Sequence, residues 1–307
     1  MKPAPELGLV TTDPLYLSTS ESAAHYRPCP VRFQFGDKQD HVRIHDVTTW
    51  LKNEGLCKAS TKILVGGLNE GQYATTLLYI CPSATLHGVE VQPDVFEKVK
   101  STLARYPNAA AHNQGWSDSS GELFIAGKGQ TAQLVDAEKA RKSGTTQMVK
   151  VGTILKFARD LGIDQAIYTL IDTEGHEPAV IKGMALEDKA NRQLFPVFQF
   201  EVGSGWDQFS KLHWNQHQTA IHLERLGYEL YLIGEAYYWK VLAAFFERGV
   251  GAINTTPRCN TNYTTDEQMF VWGNVLAIHP AFAPQGLLDI IHESAKKHSQ
   301  VARTKKV

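Results

Sequence analysis

Two groups of polar residues in this sequence have types and spacings suited to chemistry, and each follows an apolar run. The first is a loop that contains Gly67, Asn69 and Gly71, between an apolar run and a helical pattern. Glu90 follows after about 20 residues, at the end of the next apolar run. An acidic residue at the tip of a second strand is placed to bind both hydroxyls of a ribose. This spacing predicts a nucleoside bound across a β-α-β unit.

The loop does not have the pattern that binds a pyrophosphate. That fingerprint is G-x-G-x-x-G, whereas this loop reads G-x-x-x-G and lacks a third glycine. The turn contains no Lys or Arg, and Glu70 would repel a phosphate. A ligand with a ribose and no phosphate fits better, and S-adenosylmethionine is the common one. The alternative is a glycine-rich turn that binds nothing.

The second group is Asp172, Glu174, His176 and Glu177, which follows an apolar run and opens a helical pattern. In open α/β sheets, ligands lie beyond the carboxyl ends of the strands. Asp172 and Glu174 could polarise a substrate hydroxyl, and His176 has a pKa suited to accepting its proton near neutral pH. The alternative is that these residues favour a helix start, where carboxylates complement the macrodipole.

The pattern of apolar runs predicts the elements that position these groups. Runs alternate with helical stretches, which indicates an α/β fold with a doubly wound, mostly parallel sheet. A short strand pair is predicted at 121–125 and 148–151, and the last two runs predict an antiparallel pair at the sheet edge. The predicted strands are 63–66, 85–91, 166–172, 196–203, 228–233 and 269–277, and the predicted helices are near 72–81, 93–106, 176–191 and 215–227.

The chain divides into two predicted parts. Residues 1–58 are expected to form an arm, a hairpin and a helix that pack on the core, and residues 59–307 to form the main domain. Within it, residues 235–268 shift from aromatic to polar composition. Connections of this length are usually functional or mobile. We predict an acceptor lid there, with a homodimer contact as the alternative.

Composition excludes several classes of function. A net charge of −1 and a pI near 6.9 give no electrostatic case for a nucleic-acid or membrane partner. The 4 cysteines show no C-x-x-C spacing, so neither a zinc site nor a disulfide framework is expected. The first 30 residues lack the apolar core of a signal peptide, and no apolar run is long enough to span a membrane. A cytoplasmic protein is the expectation.

From about residue 60 to about residue 203, the chain resembles the FkbM family of S-adenosylmethionine-dependent methyltransferases. The family's motifs, in order, are D-x-G-x-N-x-G, an acidic residue shortly before a proline, S-D before a glycine, T-L after a strand, K-I-D-V-E-G-x-E before a glycine, and a strand ending in Glu. Each motif is weak alone, but their order makes the resemblance specific. The matching residues are Gly67, Asn69, Gly71, Glu90, Pro93, Ser117, Asp118, Gly121, Thr153, Leu155, Ile171, Asp172, Glu174, Gly175, Glu177, Gly183 and Glu201.

The resemblance implies a role for each matching residue. S-adenosyl-L-methionine would be the cofactor, in a seven-stranded Rossmann-like sheet with an antiparallel edge strand, and a hydroxyl on a small molecule or sugar would accept the methyl group. Asp172 and Glu201 would face the methyl donor and acceptor at the tips of the fourth and fifth strands. The cofactor would contact Gly67, Asn69, Gly71, Glu90 on the ribose, and Ser117 and Asp118 near the adenine.

Two positions depart from the family pattern. Val65 stands where the family has its first acidic residue, and Leu170 stands where it has a lysine. Neither residue would transfer the methyl group itself. A degenerate methyltransferase-like module without catalysis therefore remains an alternative, and an NAD-dependent oxidoreductase is a second one.

A metal site is considered and not predicted. His213 and His217 lie four residues apart, a spacing that puts both on one face of a helix, and Asp172 or Glu201 could complete a site. Two surface histidines are the better interpretation. The candidate catalytic residues are Asp172, Glu174, His176 and Glu201. A metal held by these carboxylates or by the histidine pair is the alternative.

Overall fold

The computed structural model describes residues 47, 50–127, 132–143, 147–202, 215–233, 238–241, 273–284 and 286–291. Residues 50–53 are helical. The elements that follow are β1 (Lys62–Gly66), α1 (Gln72–Ile80), β2 (Thr85–Val89), α2 (Pro93–Leu103), β3 (Ala109–His112), β4 (Gly115–Ser117), β5 (Gly121–Ala126), β6 (Gln133–Val135), α3 (Ala137–Ser143), β7 (Met148–Thr153), α4 (Ile154–Asp160), β8 (Ala166–Ile171), α5 (Glu177–Lys182), α6 (Lys189–Leu194), β9 (Val197–Val202), α7 (Gln216–Arg225), β10 (Glu229–Ile233), β11 (Tyr238–Val241), β12 (Gly273–Ile278) and α8 (286–291).

Eight strands form the main sheet, in the order β11-β10-β12-β9-β8-β1-β2-β3. The pairs from β9 to β3 are parallel, whereas β12 is antiparallel to both of its neighbours. The predicted antiparallel pair of β10 and β12 is confirmed. Its predicted place at the edge is wrong, as is the count of seven strands, because β11 pairs with β10 and forms the edge. Strand β11 lies within the segment that the sequence predicts as a lid.

Period-2 alternation explains why helices cover both faces of the main sheet. On β1, Leu64 packs with α4, α5 and α7 on one face. Its neighbours Ile63 and Val65 pack with α1, α2 and α8 on the other face. Trp50, from the N-terminal helical residues, is buried in the same cluster as Ile63. A parallel sheet has to be buried on both faces, so near-continuous apolar strands are what the fold requires.

A second sheet contains four strands in the order β4-β7-β5-β6. The predicted short strand pair is confirmed, since β5 and β7 are antiparallel from Gly121, opposite Val151, to Phe124, opposite Met148. Strand β4 lies against the main sheet, because a Cβ added at Gly66 would come within 2.6 Å of the Trp116 ring. The second sheet thus adjoins the carboxyl end of β1.

The single helical stretch predicted near 176–191 is instead two short helices. Helix α5 ends at Gly183, where an added Cβ would lie 2.2 Å from the carbonyl oxygen of Ser117. Ala185 then takes a φ of 49°, and the Asp188 side chain caps α6 by accepting from the Ala190 N–H. Contact with β4 and a new N-cap interrupt a pattern that reads as continuous in the sequence.

Cys57 and Cys81 form a disulfide, with their Cα atoms 5.1 Å apart. The expectation of no disulfide was wrong, because the two residues are brought together by packing at the end of α1 and not by local spacing. Closing this loop, with a sequence separation of 24, stabilises the fold by about 3.5 kcal/mol in the chain-entropy account. Disulfides persist in oxidising compartments, so this pair does not favour the expected cytoplasmic location.

The described helices include none long and apolar enough to cross a membrane.

Candidate active site

A cleft opens at the carboxyl ends of β1, β2 and β8, which is where an open α/β sheet places its ligand. Its empty volume is about 600 Å³, including space open to solvent. Five of the predicted site residues line it: Gly67, Asn69, Glu90, Asp172 and Glu174. Its other lining residues are Val89, Val91, Gln92, Gln114, Gly115, Trp116, Ala132, Leu134 and Thr173.

The glycine loop is fixed against two neighbouring strands. The N–H groups of Gly67 and Leu68 donate to the Val89 carbonyl at 3.1 and 3.0 Å, and the Asp172 N–H donates to the Gly66 carbonyl. Gly67 has a φ of 81°, and a Cβ there would lie 1.7 Å from the Asp172 carbonyl oxygen. Only glycine allows the two loops to approach so closely.

Glu90 lies at the base of the cleft and is 4% exposed. One carboxylate oxygen accepts from the Asn69 N–H at 2.8 Å, and the other accepts from the Gln92 N–H at 2.9 Å. Burial raises the pKa of Glu90, while these backbone N–H groups act to lower it. A carboxylate oxygen has two lone pairs. The carboxylate of Glu90 therefore keeps capacity to accept further hydrogen bonds, as ribose hydroxyls require.

The wall beside Glu90 comes from residues that the sequence did not single out. Val91 and Leu134 are its apolar members, and Gln114 brings an amide. Asn113 secures this segment, because its side-chain nitrogen donates to the Glu90 carbonyl at 2.9 Å. Leu134 lies on β6, which reaches the cleft only through pairing in the second sheet. No spacing in the sequence signals that contact.

Ser117 and Asp118 are not among the residues that line the cleft. The Ser117 hydroxyl lies 3.0 Å from His176 Nε2, and Asp118 pairs with Lys182 at 3.0 Å. Partial burial acts to raise the pKa of Asp118, but Lys182 outweighs it and the pKa is lowered. These contacts fasten β4 to α5.

His176 is 5% exposed and does not line the cleft. Burial lowers the pKa of His176 to about 4, so the ring is neutral at physiological pH. The predicted role of His176 as the base stays a prediction. Its position favours a structural link to Ser117, and Asp172 and Glu174 are the predicted catalytic residues that reach the cleft.

Three carboxylates converge beside the cleft, from Asp172, Glu177 and Glu201. One carboxylate oxygen of each lies within 4.8 Å of the others. Glu177 is fully buried, and its Oε1 accepts from the N–H groups of Thr173 and Gly175 at 2.7 and 3.3 Å. Within the described part of the chain, Oε2 of Glu177 has no hydrogen-bond partner. Burial, and then the charge of Asp172, raises the pKa of Glu177 to about 7.

The remaining predicted features are placed as follows. Gly71 precedes α1 with a φ of 92° and does not line the cleft. His217 lies on α7, but His213 is outside the described residues, so the predicted pair stays a prediction. Within the predicted lid, only residues 238–241 are described, and they form β11.

No protein-family model and no curated protein matches this sequence. Fibrillarin of Aeropyrum pernix, solved with natively bound S-adenosyl-L-methionine, is 12% identical with a TM-score of 0.35, over 72% of this chain and 68% of that one. Magnesium protoporphyrin IX methyltransferase of Synechocystis PCC 6803, solved with SAH, is 10% identical with a TM-score of 0.36, over 79% and 84%. An rRNA methylase of Streptococcus thermophilus is 8% identical with a TM-score of 0.39, over 79% and 97%. At these scores the likeness alone establishes nothing about this chain.

The main sheet itself identifies the fold. Its order from β3 to β10 is 3-2-1-8-9-12-10, with antiparallel β12 inserted between two strands that run parallel to each other. The dinucleotide-binding sheet of dehydrogenases has six strands in the order 3-2-1-4-5-6. The inserted antiparallel strand is the feature that separates methyltransferases from that arrangement. The chain has the Rossmann-like α/β fold of class I methyltransferases.

Proposed function

We propose that this protein is an S-adenosylmethionine-dependent methyltransferase. The observation that carries the proposal is Glu90, which is buried at the tip of β2 with both oxygens held by backbone N–H groups. A carboxylate fixed in this way is ready to bind two ribose hydroxyls without reorganising. The glycine loop beside it offers neither a third glycine nor a basic residue to a pyrophosphate.

The rest of the cofactor extends along the cleft on both sides of Glu90. The adenine packs between Val91 and Leu134, with the Gln114 amide as a polar partner. The methionine end extends over Gly67 toward Asp172. This arrangement is supported by the lining residues, since a nucleoside suits a cleft that combines apolar side chains with polar groups. It leaves Asp118, expected from the resemblance to contact the adenine, in its pair with Lys182.

Methyl transfer makes a modest chemical demand. The nucleophile has to be held in line with the methyl group of the sulfonium, and its proton has to be removed. Asp172 and Glu174 are the carboxylates that line the cleft on the side opposite Glu90. They position the acceptor hydroxyl, and one of them takes its proton. Glu174 has a φ of 54°, a conformation that non-glycine residues hold at a cost and that is common at functional sites.

The departures at Val65 and Leu170 do not argue for a degenerate protein. These residues are partners in the register of β1 with β8, and both are buried in the same apolar cluster. The acidic residue and the lysine of the family pattern are thus replaced together by an apolar pair. Replacing a buried ion pair by packed apolar residues is often neutral or stabilising, so the fold keeps its cleft.

We also propose that the protein is a member of the FkbM family that methylates a hydroxyl on a small molecule or sugar. The order of the sequence motifs supports the family, and the near-zero net charge supports a small acceptor over a nucleic acid. Comparing methyl transfer to RNA with transfer to a panel of small hydroxyl compounds tests the acceptor class.

Calorimetric titration with S-adenosylhomocysteine tests the cofactor. We expect the wild type to bind, and Glu90→Ala to bind about tenfold to a hundredfold more weakly, because charge-assisted hydrogen bonds worth about 1.5–3 kcal/mol are lost. Glu187→Ala, an exposed residue outside the cleft, is the matched control. Absence of binding by the wild type would favour the degenerate module, and tighter binding of NAD would favour the oxidoreductase.

A further inference from the structure

Asp172, Glu177 and Glu201 bring three carboxylates together at one point of the fold. The three residues lie on different elements: Asp172 follows β8, Glu177 begins α5, and Glu201 is in β9. Packing of the sheet and helix holds one oxygen of each within 4.8 Å of the others. Like charges at such distances repel strongly where burial lowers the dielectric. Three carboxylates that the fold holds together therefore favour a cation among them.

We propose that Asp172, Glu177 and Glu201 bind a divalent cation of the Mg²⁺ or Mn²⁺ type. Carboxylate oxygens are the ligands that these hard cations prefer. Residues on three separate elements form a cage whose geometry is set before the ion arrives. Mutual distances of up to 4.8 Å leave room for an ion between the oxygens, since Mg²⁺ binds oxygen at about 2.1 Å.

Glu177 provides an independent observation that points to a ligand. Its side chain is fully buried, and Oε1 accepts from the Thr173 N–H, the Thr173 hydroxyl and the Gly175 N–H. Those bonds fix the orientation of the carboxylate, as partners of metal ligands do. They leave Oε2 buried and without a hydrogen-bond partner in the described part of the chain. A buried, unpaired carboxylate oxygen is costly unless a ligand satisfies it.

The position of the cation gives it a role, and this role rests on the proposed function. Asp172 belongs both to the cluster and to the lining of the cleft. A cation held there would bind the acceptor hydroxyl oxygen and lower the pKa of that hydroxyl, which favours the nucleophilic alkoxide. The acceptor class is therefore a compound whose hydroxyl can coordinate a metal, such as one with a second oxygen on the adjacent carbon.

Titration of the metal-free, full-length protein with Mn²⁺, followed by electron paramagnetic resonance, tests the site directly. We expect one Mn²⁺ per chain, competed by Mg²⁺. Glu201→Gln and Glu177→Gln are expected to weaken the binding about tenfold or more, because each removes a charged ligand. Glu177→Gln keeps the oxygen that accepts from Thr173 and Gly175, and Glu201→Gln is the second variant if the first does not fold.

Glu174→Gln is the control, since it removes the same charge from the cleft and lies outside the cluster. The proposal is overturned if the wild type binds no Mn²⁺ at millimolar concentration. It is also overturned if Glu174→Gln weakens binding as much as the two cluster variants. Titration with S-adenosylhomocysteine separates the two proposals. Cofactor binding without Mn²⁺ binding rejects the cation alone, and Mn²⁺ binding without cofactor binding rejects the methyltransferase alone.

Discussion

Carboxylates are hydrogen-bonded differently in two regions of the molecule. One region is at the carboxyl ends of β1 and β2, and the other is at those of β8 and β9. At the first pair of strands, both oxygens of Glu90 accept from backbone N–H groups. At the second, Glu177 has one oxygen bonded to the loop and one without a partner among the described residues, beside Asp172 and Glu201. The first region holds both carboxylate oxygens with backbone donors, and the second leaves one oxygen of Glu177 without a donor among the described residues.

This difference separates two kinds of binding. A carboxylate that is already satisfied can add bonds to neutral hydroxyls, and its position does not depend on the ligand. A cluster of carboxylates with an unsatisfied oxygen favours a cation or a proton. On the two proposals made above, the cleft contains a nucleoside subsite at Glu90 and adjoins a cation subsite at Asp172.

The largest expected loss of stability follows from a substitution at the contact between the two regions. Gly67→Ala places a Cβ 1.7 Å from the Asp172 carbonyl oxygen, at a φ of 81°. We expect the free energy of unfolding to fall by at least about 3 kcal/mol, because backbone has to move in both loops. Urea unfolding measures the change.

Gly162→Ala is the matched control for Gly67→Ala. Gly162 has a φ of 64°, but an added Cβ meets nothing within 4 Å. We expect it to cost about 1 kcal/mol, the cost of the backbone conformation alone. If the two variants lose equal free energy of unfolding, the loops at Gly67 and Asp172 are not in close contact.

The next effect compares the two regions directly. Glu90→Gln removes one of two accepting oxygens, so we expect a loss of about 1–3 kcal/mol in the free energy of unfolding. Glu177→Gln keeps its accepting oxygen and turns the unpaired one into a donor toward the neighbouring carboxylates. Measured in a chelator, Glu177→Gln is expected to be neutral or stabilising. If it destabilises as much as Glu90→Gln, the difference between the regions does not exist.

A smaller effect is expected on the pH dependence of stability, and it comes from His87 in β2. Burial, followed by the charges of His112 and Lys62, lowers the pKa of His87 to about 4. The unfolded chain binds a proton at this residue near pH 6.5 and the folded chain does not, so stability falls as pH drops from about 6.5 to about 4. Since the ring is only half buried, we expect a loss of about 1 kcal/mol. Thermal unfolding of His87→Gln should show less of this pH dependence than the wild type, and an unchanged profile would contradict the assignment.

The smallest effect concerns Asp118, whose pair with Lys182 is partly exposed. We expect Asp118→Asn to change the free energy of unfolding by no more than about 0.5 kcal/mol. Titration with S-adenosylhomocysteine should show little loss of affinity. A loss as large as that of Glu90→Ala would instead support the adenine contact that the sequence resemblance implies.

Much of the fold was predictable because its signals are local. Apolar runs bounded by turns predicted six strands of the main sheet, and the loop at Gly67 and the spacing to Glu90 predicted the side of the cleft that Glu90 occupies. Strand β3, with the sequence AAAH, has too little pattern to be recognised. Strand β11, with the sequence YWKV, contains residues that strands favour. Its aromatic residues equally suit the predicted lid, and only its pairing with β10 distinguishes the two.

The sequence by itself determined which residues end the strands, since period 2 and turn chemistry are written into neighbouring positions. Only the tertiary structure decided which of those ends meet. It joined Val65 to Leu170, Cys57 to Cys81 and Ser117 to His176. It also brought Glu201 to Asp172 and Glu177. Contacts between distant segments depend on strand order and register, which are set by burial of the whole sheet and leave no mark in local spacing.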